Sequence, residues 1–158
     1  MDDAVGKARR TTCGVLVTDG RRLLLGHATR SPRWDIPKGL AEPGEAFLDA
    51  AVRELREETG LLAPPGELHP LGVHAYLPGK HLALFRWRPA AMPDPAALVC
   101  TSYVTRPGAG RFPEVDRFGV FPWAEALALV GRNMARVLAG LSHGLERDDA
   151  AGQPFSES

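Results

Sequence analysis

The sequence predicts an α+β fold, an α/β/α sandwich in which a mixed β-sheet lies between helices. Two patterns support this prediction. Short β-rich segments are interleaved with amphipathic helical segments, but without the regular strand–helix–strand order of a parallel sheet. One β-rich segment, centred on residues 82–85, is apolar on both faces, as expected for a strand that helices cover on both sides.

The first part of the chain is predicted to be a hairpin followed by a loop. Residues 11–20 (TTCGVLVTDG) and 21–28 (RRLLLGHA) are β-rich, and the Asp19-Gly20 pair between them is a turn signal typical of hairpins. Residues 30–39 (RSPRWDIPKG) hold a short apolar piece between two prolines, and we expect a loop there.

The most regular helical pattern lies between residues 45 and 59. Its apolar side chains recur at spacings of three and four and form one stripe. A helix is therefore predicted here, and Gly60 stands where a C-terminal cap is expected. The stripe consists of Phe47, Leu48, Ala51, Val52 and Leu55.

The second half of the chain is predicted to hold three strands and two helices around a long connection. Residues 67–87 read as two strands joined by a turn at Pro78-Gly79. Residues 89–113 are rich in Pro, Ala and Gly, and a connection of this length inside a compact domain is usually functional or mobile. The remaining elements are a short strand over 116–121 and amphipathic helices over 123–130 and 133–145.

Length and composition are those of one globular domain. The chain has 158 residues, of which 44% are hydrophobic and 24% charged. We expect a single domain over residues 11–145, between a flexible lead (1–10) and a flexible tail (146–158). The 19 basic residues balance the 19 acidic ones, so we expect no binding to a nucleic-acid polymer. Without a secretory signal or a long apolar run, a cytoplasmic protein with no membrane partner is expected.

Three glutamates stand in the last turns of the predicted helix, where the helix dipole disfavours negative charge. Glu54 and Glu58 are four residues apart and share a face, while Glu57 lies on the adjoining flank. A solvated acidic face is the usual interpretation of such a run. A cation such as Mg²⁺ accounts better for the placement beside the apolar stripe, because Mg²⁺ is held by carboxylates together with substrate phosphates.

The segments outside this helix offer further candidate ligand-binding groups. Gly39 lets its backbone approach a ligand closely, so its carbonyl is a candidate metal ligand, and Lys38 beside it is a point charge suited to phosphate. Trp34 either stacks on a base or closes the end of the sheet. Arg111 and Phe112 in the long connection are candidates for cation–π or aromatic contact with a substrate, although packing is the commoner role of such residues.

Residues 39–61 resemble the Nudix box, G-x5-E-x7-R-E-U-x-E-E-x-G-U, in which U is a bulky aliphatic residue. Every constrained position of the box is filled, and the flanking segments resemble the same family over most of the chain. The matching residues are Gly39, Glu45, Arg53, Glu54, Leu55, Glu57, Glu58, Gly60 and Leu61.

The resemblance implies roles for the residues of the box. Arg53 is implied to orient a metal-binding carboxylate through an ion pair, and Glu45 to tie down the loop at the start of the helix. Gly60 is implied to support the box structurally. The implied ligands of Mg²⁺, or of Mn²⁺ as a substitute, are the Gly39 carbonyl, Glu54, Glu57 and Glu58.

The resemblance also implies an activity, the hydrolysis of a nucleoside diphosphate linked to another moiety X by in-line attack of water on phosphorus. Nucleoside triphosphates and dinucleoside polyphosphates are the expected substrates, and the Pro-Lys-Gly run at the box resembles the form found in dinucleotide polyphosphate hydrolases. The general base is either a glutamate of the box or Glu114 at the end of the long connection. The expected catalytic residues are Arg53, Glu54, Glu57 and Glu114.

Two other functions stay open at this point. A Nudix-fold regulatory domain would bind a nucleotide without turnover, but it would have no need of every acid in the box. An isomerase of isoprenoid diphosphates on the same scaffold would require a catalytic cysteine, for which Cys100 is the candidate. The two cysteines are otherwise expected to be buried, reduced thiols. Because members of the family are often dimers, the resemblance also implies a homodimer.

Overall fold

The computed structural model describes residues 10–151, with side chains described as far as residue 141. Most of the predicted lead and the end of the predicted tail therefore lie outside the described residues. The strands are β1 (Thr11–Val17), β2 (Arg22–Ala28), β3 (Trp34–Asp35), β4 (Lys38–Leu40), β5 (His69–Leu77), β6 (Lys80–Trp87), β7 (Tyr103–Arg106), β8 (Gly110–Pro113) and β9 (Val115–Pro122). They form a mixed sheet in the order β4-β1-β6-β5, an antiparallel sheet in the order β3-β2-β9, and the separate hairpin β7-β8.

Among residues 10–151, three α-helices cover the two sides of this framework. They are α1 (Phe47–Thr59), α2 (Trp123–Leu129) and α3 (Arg132–Ala151), and short 3₁₀ turns occur at Pro65–Glu67 and Pro95–Ala97. The α+β class is confirmed, because helices pack on a framework that contains a mixed sheet and an antiparallel sheet. Within the described part of the chain, no helix has both the length and the apolar character needed to cross a membrane.

The core lies on both faces of β6. Ala83 and Phe85 belong to the apolar cluster that includes α1, whereas Leu82 and Leu84 belong to the cluster that includes α2 and α3. Side chains alternate across a strand, so four consecutive apolar residues supply both clusters. The prediction of a strand covered on both sides is therefore confirmed.

The predicted hairpin of the first two strands is wrong. A turn at Asp19-Gly20 does join β1 to β2, but Thr18 and Leu23 form only an isolated bridge, and the two strands belong to different sheets. Strand β1 runs parallel to β6, from Thr11 opposite His81 onward, and β2 pairs with β9 instead. Every residue of β1 is buried, so this strand is placed in the interior of the mixed sheet rather than in a two-stranded ribbon.

The two segments predicted as loops contain short regular elements. Residues 30–39 contain strand β3 and the start of strand β4, which pair with β2 and β1 respectively. The long connection of residues 89–113 contains a 3₁₀ turn and the hairpin β7-β8, which turns at Pro107-Gly108 as its sequence indicates. Lys38 of β4 and Thr101 of the long connection contact the last turns of α1, where their N–H groups bond to Glu58 and Glu57 respectively.

Candidate active site

Arg53 on α1 is the centre of an ion-pair network within the box. Its Nε and Nη2 donate to the two carboxylate oxygens of Glu45, each at 2.9 Å. Its Nη1 donates to Glu54 Oε1 at 2.9 Å and to Glu57 Oε2 at 3.3 Å, and Nη2 also reaches the carbonyl of Leu40 at 3.1 Å. The hydrogen bond from Arg53 lowers the pKa of Glu45. One planar guanidinium thus holds in place Glu45, just before α1 begins, and two glutamates of α1, Glu54 and Glu57.

Glu54 is buried between Arg53 and Gly39. Its residue is only 9% exposed, and a Cβ added at Gly39 would overlap the Glu54 carboxylate. Gly39 lies on β4, paired with Cys13 of β1, so the strand pairing brings its backbone against α1. Burial raises the pKa of Glu54, and the hydrogen bond and charge of Arg53 oppose that rise.

Glu58 lies one turn further along α1 and is 8% exposed. Its Oε2 accepts a hydrogen bond from the backbone N–H of Lys38 at 3.1 Å. Burial raises the pKa of Glu58 to about 8, against the favourable charge of Lys38. The Lys38 ammonium is itself paired with Asp35 Oδ2 at 3.0 Å. Burial is the largest single effect and lowers the pKa of Lys38. The charges of Asp35, Tyr76 and Glu58, together with the hydrogen bond to Asp35, outweigh it and hold the pKa raised at about 12.

A short segment of the long connection links the end of α1 to Glu114. The backbone N–H of Thr101 donates to the carbonyl of Glu57 at 2.7 Å, and the N–H of Glu114 donates to the carbonyl of Ser102 at 2.9 Å. The N–H of Thr29 in turn donates to the carbonyl of Glu114 at 3.0 Å. Glu114 is therefore held by backbone contacts on both sides.

A cavity of about 130 Å³ lies beside these acids. Glu58 and Glu114 line it together with Lys38, although the three are far apart in the sequence. Arg33 and Asp35 line it as well. The structure thus gathers a candidate metal ligand, the candidate base from the later loop and the candidate phosphate-binding lysine around one space.

Three of the predicted substrate-contact residues, Trp34, Arg111 and Phe112, do not line this cavity. Each instead makes a ring contact within the described part of the chain, and a role for them in binding substrate stays a prediction. The contacts are Trp34 edge-on to Phe121 (5.0 Å between ring centroids), Arg111 over Tyr103 (4.4 Å) and Arg30 over Phe112 (4.6 Å).

The donor chemistry of the box fits a hard divalent cation. Carboxylate and backbone carbonyl oxygens are the ligands that Mg²⁺ and Mn²⁺ prefer, and the missing Cβ of Gly39 leaves its backbone against Glu54. Across residues 10–151, however, no three His, Cys, Asp or Glu side chains are arranged ready to hold a metal ion. Arg53 bonds to one carboxylate oxygen of Glu54 and one of Glu57, and the N–H of Lys38 bonds to one oxygen of Glu58.

Sequence reasoning missed three residues of this site. Arg33 and Asp35 line the cavity, and Thr101 ties the connection to α1. A signal for the first two was available, because both lie within five residues of Lys38 in the RWDIPK run. The role of Thr101 depends on a contact across more than 40 residues of chain, which local patterns do not report.

The profile of the NUDIX domain matches residues 8–139. The chain belongs to the Nudix hydrolase family. This Nudix hydrolase is 32% identical over 146 residues to an uncharacterised 17.7 kDa protein of enterobacteria phage T4, covering 85% of the chain and 97% of the phage protein. Over 45 residues it is 56% identical to the RNA pyrophosphohydrolase of Bartonella tribocorum, a match to 27% of the chain and 26% of that enzyme.

Solved structures agree with the family fold. The Ap4A hydrolase of C. elegans superposes with a TM-score of 0.62 at 20% identity, over 85% of this chain and 97% of that one. The dihydroneopterin triphosphate pyrophosphohydrolase of E. coli superposes with a TM-score of 0.63 at 17% identity, over 86% and 97% respectively. At these identities the likeness establishes a shared fold.

Proposed function

We propose that this Nudix hydrolase is a metal-dependent pyrophosphohydrolase that cleaves a diphosphate linkage in a nucleoside diphosphate linked to X. The proposed substrates are nucleoside triphosphates or dinucleoside polyphosphates. The observation that carries the proposal is the complete box, with Glu54, Glu57 and Arg53 in one network and Glu54 packed on Gly39. The names of the relatives and structural neighbours, which include an RNA pyrophosphohydrolase, a dihydroneopterin triphosphate pyrophosphohydrolase and an Ap4A hydrolase, support the same class of reaction.

The proposed ligands of Mg²⁺ or Mn²⁺ are the Gly39 carbonyl, Glu54, Glu57 and Glu58. When bound, such a cation neutralises phosphate charge and lowers the pKa of a coordinated water. Arg53 holds the carboxylates of Glu54 and Glu57 together through its ion pairs with both. Lys38 lines the cavity and supplies positive charge for a phosphate there. Glu114 lines the same cavity and is one candidate to accept the proton of the attacking water, a box glutamate being the other.

Two other functions are less well supported. A regulatory domain without turnover would not need the full set of acids that Arg53 organises. An isomerase would need a reactive thiol at the site, but Cys100 is 7% exposed, donates to the carbonyl of Ser102 and does not line the cavity beside Glu58. Unchanged activity in Cys100→Ala would remove the isomerase.

The expected homodimer and cytoplasmic location stay predictions. Light scattering coupled to size-exclusion chromatography would measure the oligomeric state in solution. A mass of about 17 kDa would exclude the homodimer, because the chain itself is 17.0 kDa.

A substrate panel with Mg²⁺ or Mn²⁺ tests the proposal directly. We expect nucleoside triphosphates or dinucleoside polyphosphates to be hydrolysed. When the reaction is run in ¹⁸O water, ³¹P NMR should find the ¹⁸O label in one of the phosphorus-containing products. Glu57→Gln should lower kcat by about 100-fold or more, since it removes a metal ligand or base. Glu67→Gln, at an exposed acid in a 3₁₀ turn, is the matched control and should keep normal activity. Nucleotide binding without turnover of any member of the panel would refute the hydrolase and favour the regulatory domain.

A further inference from the structure

The cavity beside the carboxylates is too small to hold a nucleotide. Its volume is about 130 Å³, whereas pockets that enclose small-molecule ligands measure roughly 300–1,000 Å³. A nucleotide bound there must extend into a neighbouring space. Among the residues whose side chains are described, two larger cavities share lining residues with it: one of about 350 Å³, which shares Arg33 and Asp35, and one of about 720 Å³, which shares Val115.

The larger of these two cavities has the wrong charge for a polyphosphate. Its charged lining residues are Asp94, Asp116 and Arg117, so acids outnumber bases. Asp116 Oδ1 lies 2.7 Å from His27 Nδ1 and 3.8 Å from Arg117 Nη1. The one arginine that lines this cavity therefore already faces an acid. A chain of phosphates entering this space would meet net negative charge.

The 350 Å³ cavity has the opposite balance. Arg33 and Arg132 line it with one acid, Asp35, whose charge the ammonium of Lys38 already offsets at 3.0 Å. The Arg33 side chain lies against Gly131, its Nε 3.7 Å from the position that a Cβ there would take. Among the described residues, Arg33 is hydrogen-bonded through its backbone N–H, to Ser31 Oγ, and through its carbonyl, to the N–H of Ala28. Its guanidinium interacts with Tyr76 through charge alone, so its donors are available to a ligand.

We infer that the phosphate chain of the substrate runs from the carboxylates past Arg33 into the 350 Å³ cavity. Arg33 lines both spaces and binds a phosphate at their junction, and Arg132 binds the phosphate beyond it. Tyr76 and Asn133 complete the polar lining of this cavity. The enzyme then favours substrates with three or more phosphates over nucleoside diphosphates. This inference rests on the proposed function for the position of the scissile linkage.

Binding of inorganic tripolyphosphate to the full chain, with a chelator present to exclude metal, tests the cavity without catalysis. By isothermal titration calorimetry, Arg33→Gln should weaken this binding about tenfold, because a charge-assisted hydrogen bond is lost. Arg132→Gln should weaken it in the same direction. Arg117→Gln, which removes the arginine of the 720 Å³ cavity, is the matched control and should bind as the wild type does. All three arginines are exposed, so melting temperatures should stay within about 2 °C of the wild type.

Kinetics with Mg²⁺ supply the second measurement. Arg33→Gln should lower kcat/KM for a nucleoside triphosphate by about tenfold, mainly through KM, and should lower it less for a nucleoside diphosphate. The inference is wrong if Arg33→Gln and Arg132→Gln bind tripolyphosphate as tightly as the wild type, or if Arg117→Gln loses as much affinity as they do. If tripolyphosphate binding depends on Arg33 but no nucleotide is hydrolysed, the cavity assignment stands and the proposed function fails. If nucleotides are hydrolysed but tripolyphosphate binding does not depend on Arg33, the cavity assignment is wrong and the proposed function stands.

Discussion

At the scale of single residues, the close approach of Gly39 to Glu54 explains why the box begins with glycine. Glu54 is almost fully buried, and a buried carboxylate is costly unless hydrogen bonds or cations compensate it. Arg53 provides that compensation on one side at 2.9 Å, while the backbone of β4 occupies the other side. The need for glycine here is steric, since any side chain would occupy the space of the carboxylate.

Gly39→Ala should therefore displace Glu54 and weaken the metal site. We expect the metal-free protein to lose about 1–3 kcal/mol of stability, the usual cost of overpacking, and Mn²⁺ affinity to fall. Urea denaturation and calorimetric titration with Mn²⁺ would measure the two effects. Gly66→Ala is the control, because a Cβ at Gly66 meets no atom within 4 Å. Normal Mn²⁺ affinity in Gly39→Ala would show that the position of Glu54 does not matter to the metal.

Arg53 should not be replaceable by lysine. Its three nitrogens contact three glutamates and a carbonyl, and the single ammonium of lysine cannot reproduce that planar fork. We expect Arg53→Lys to lower kcat at least tenfold in a steady-state assay, roughly the effect of losing a group that orients a metal-binding carboxylate. Arg56→Lys, at an exposed position on the same helix, should leave kcat unchanged. Equal activity of the two variants would exclude an orienting role for Arg53.

At the scale of elements, the carboxyl end of α1 is completed by residues some 40 positions further along the chain. The last carbonyls of a helix lack partners within it. Here the N–H groups of Val99 and Thr101 donate to the carbonyls of Thr59 and Glu57, at 3.1 and 2.7 Å. Gly60 ends the helix with a positive φ of 82°, a conformation that glycine adopts without strain. The long connection thus holds the helix turn that carries the glutamates.

Hydrogen exchange should reveal this attachment. We expect the Thr101 amide to exchange as slowly as amides inside α1, although Thr101 is exposed and outside regular structure. Amides of the β7-β8 hairpin, which is a separate two-stranded sheet, should exchange much faster, since isolated hairpins are marginally stable. NMR-detected exchange at individual amides measures both. Fast exchange at Thr101, equal to that of the hairpin, would contradict the attachment.

The local sequence patterns predicted where helices and strands lie better than they predicted which strands pair with each other. The helix expected over residues 45–59 is present as Phe47–Thr59, because its spacing and its capping glycine are properties of one continuous segment. The Asp19-Gly20 turn was also recognisable, yet the strands that flank it pair elsewhere. A turn signal reports a change of direction, whereas the choice of sheet depends on burial against distant segments.

At the scale of the whole molecule, the same distinction applies to the site. The spacing of Glu54, Glu57 and Glu58 on one helix was predictable because helical geometry is local. The cavity was not, since Arg33, Glu58 and Glu114 meet only after the two sheets and α1 have packed. The two apolar clusters on either side of the mixed sheet therefore determine the site: one holds α1, and the other holds α2 and α3.

Changing one buried leucine to alanine in each of these two clusters should separate the effect on stability from the effect on metal binding. Leu55 on α1 and Leu138 on α3 are both fully buried, so each change to alanine should cost about 2–5 kcal/mol in urea denaturation without metal. Leu55→Ala should also weaken Mn²⁺ binding, because Leu55 packs directly beneath the turn that carries Glu54 and Glu58. Leu138→Ala loosens the opposite side of the sheet and should leave Mn²⁺ affinity unchanged in the folded protein. If both variants lost Mn²⁺ affinity equally, the glutamates would depend on the stability of the whole domain instead of on the cluster beneath α1.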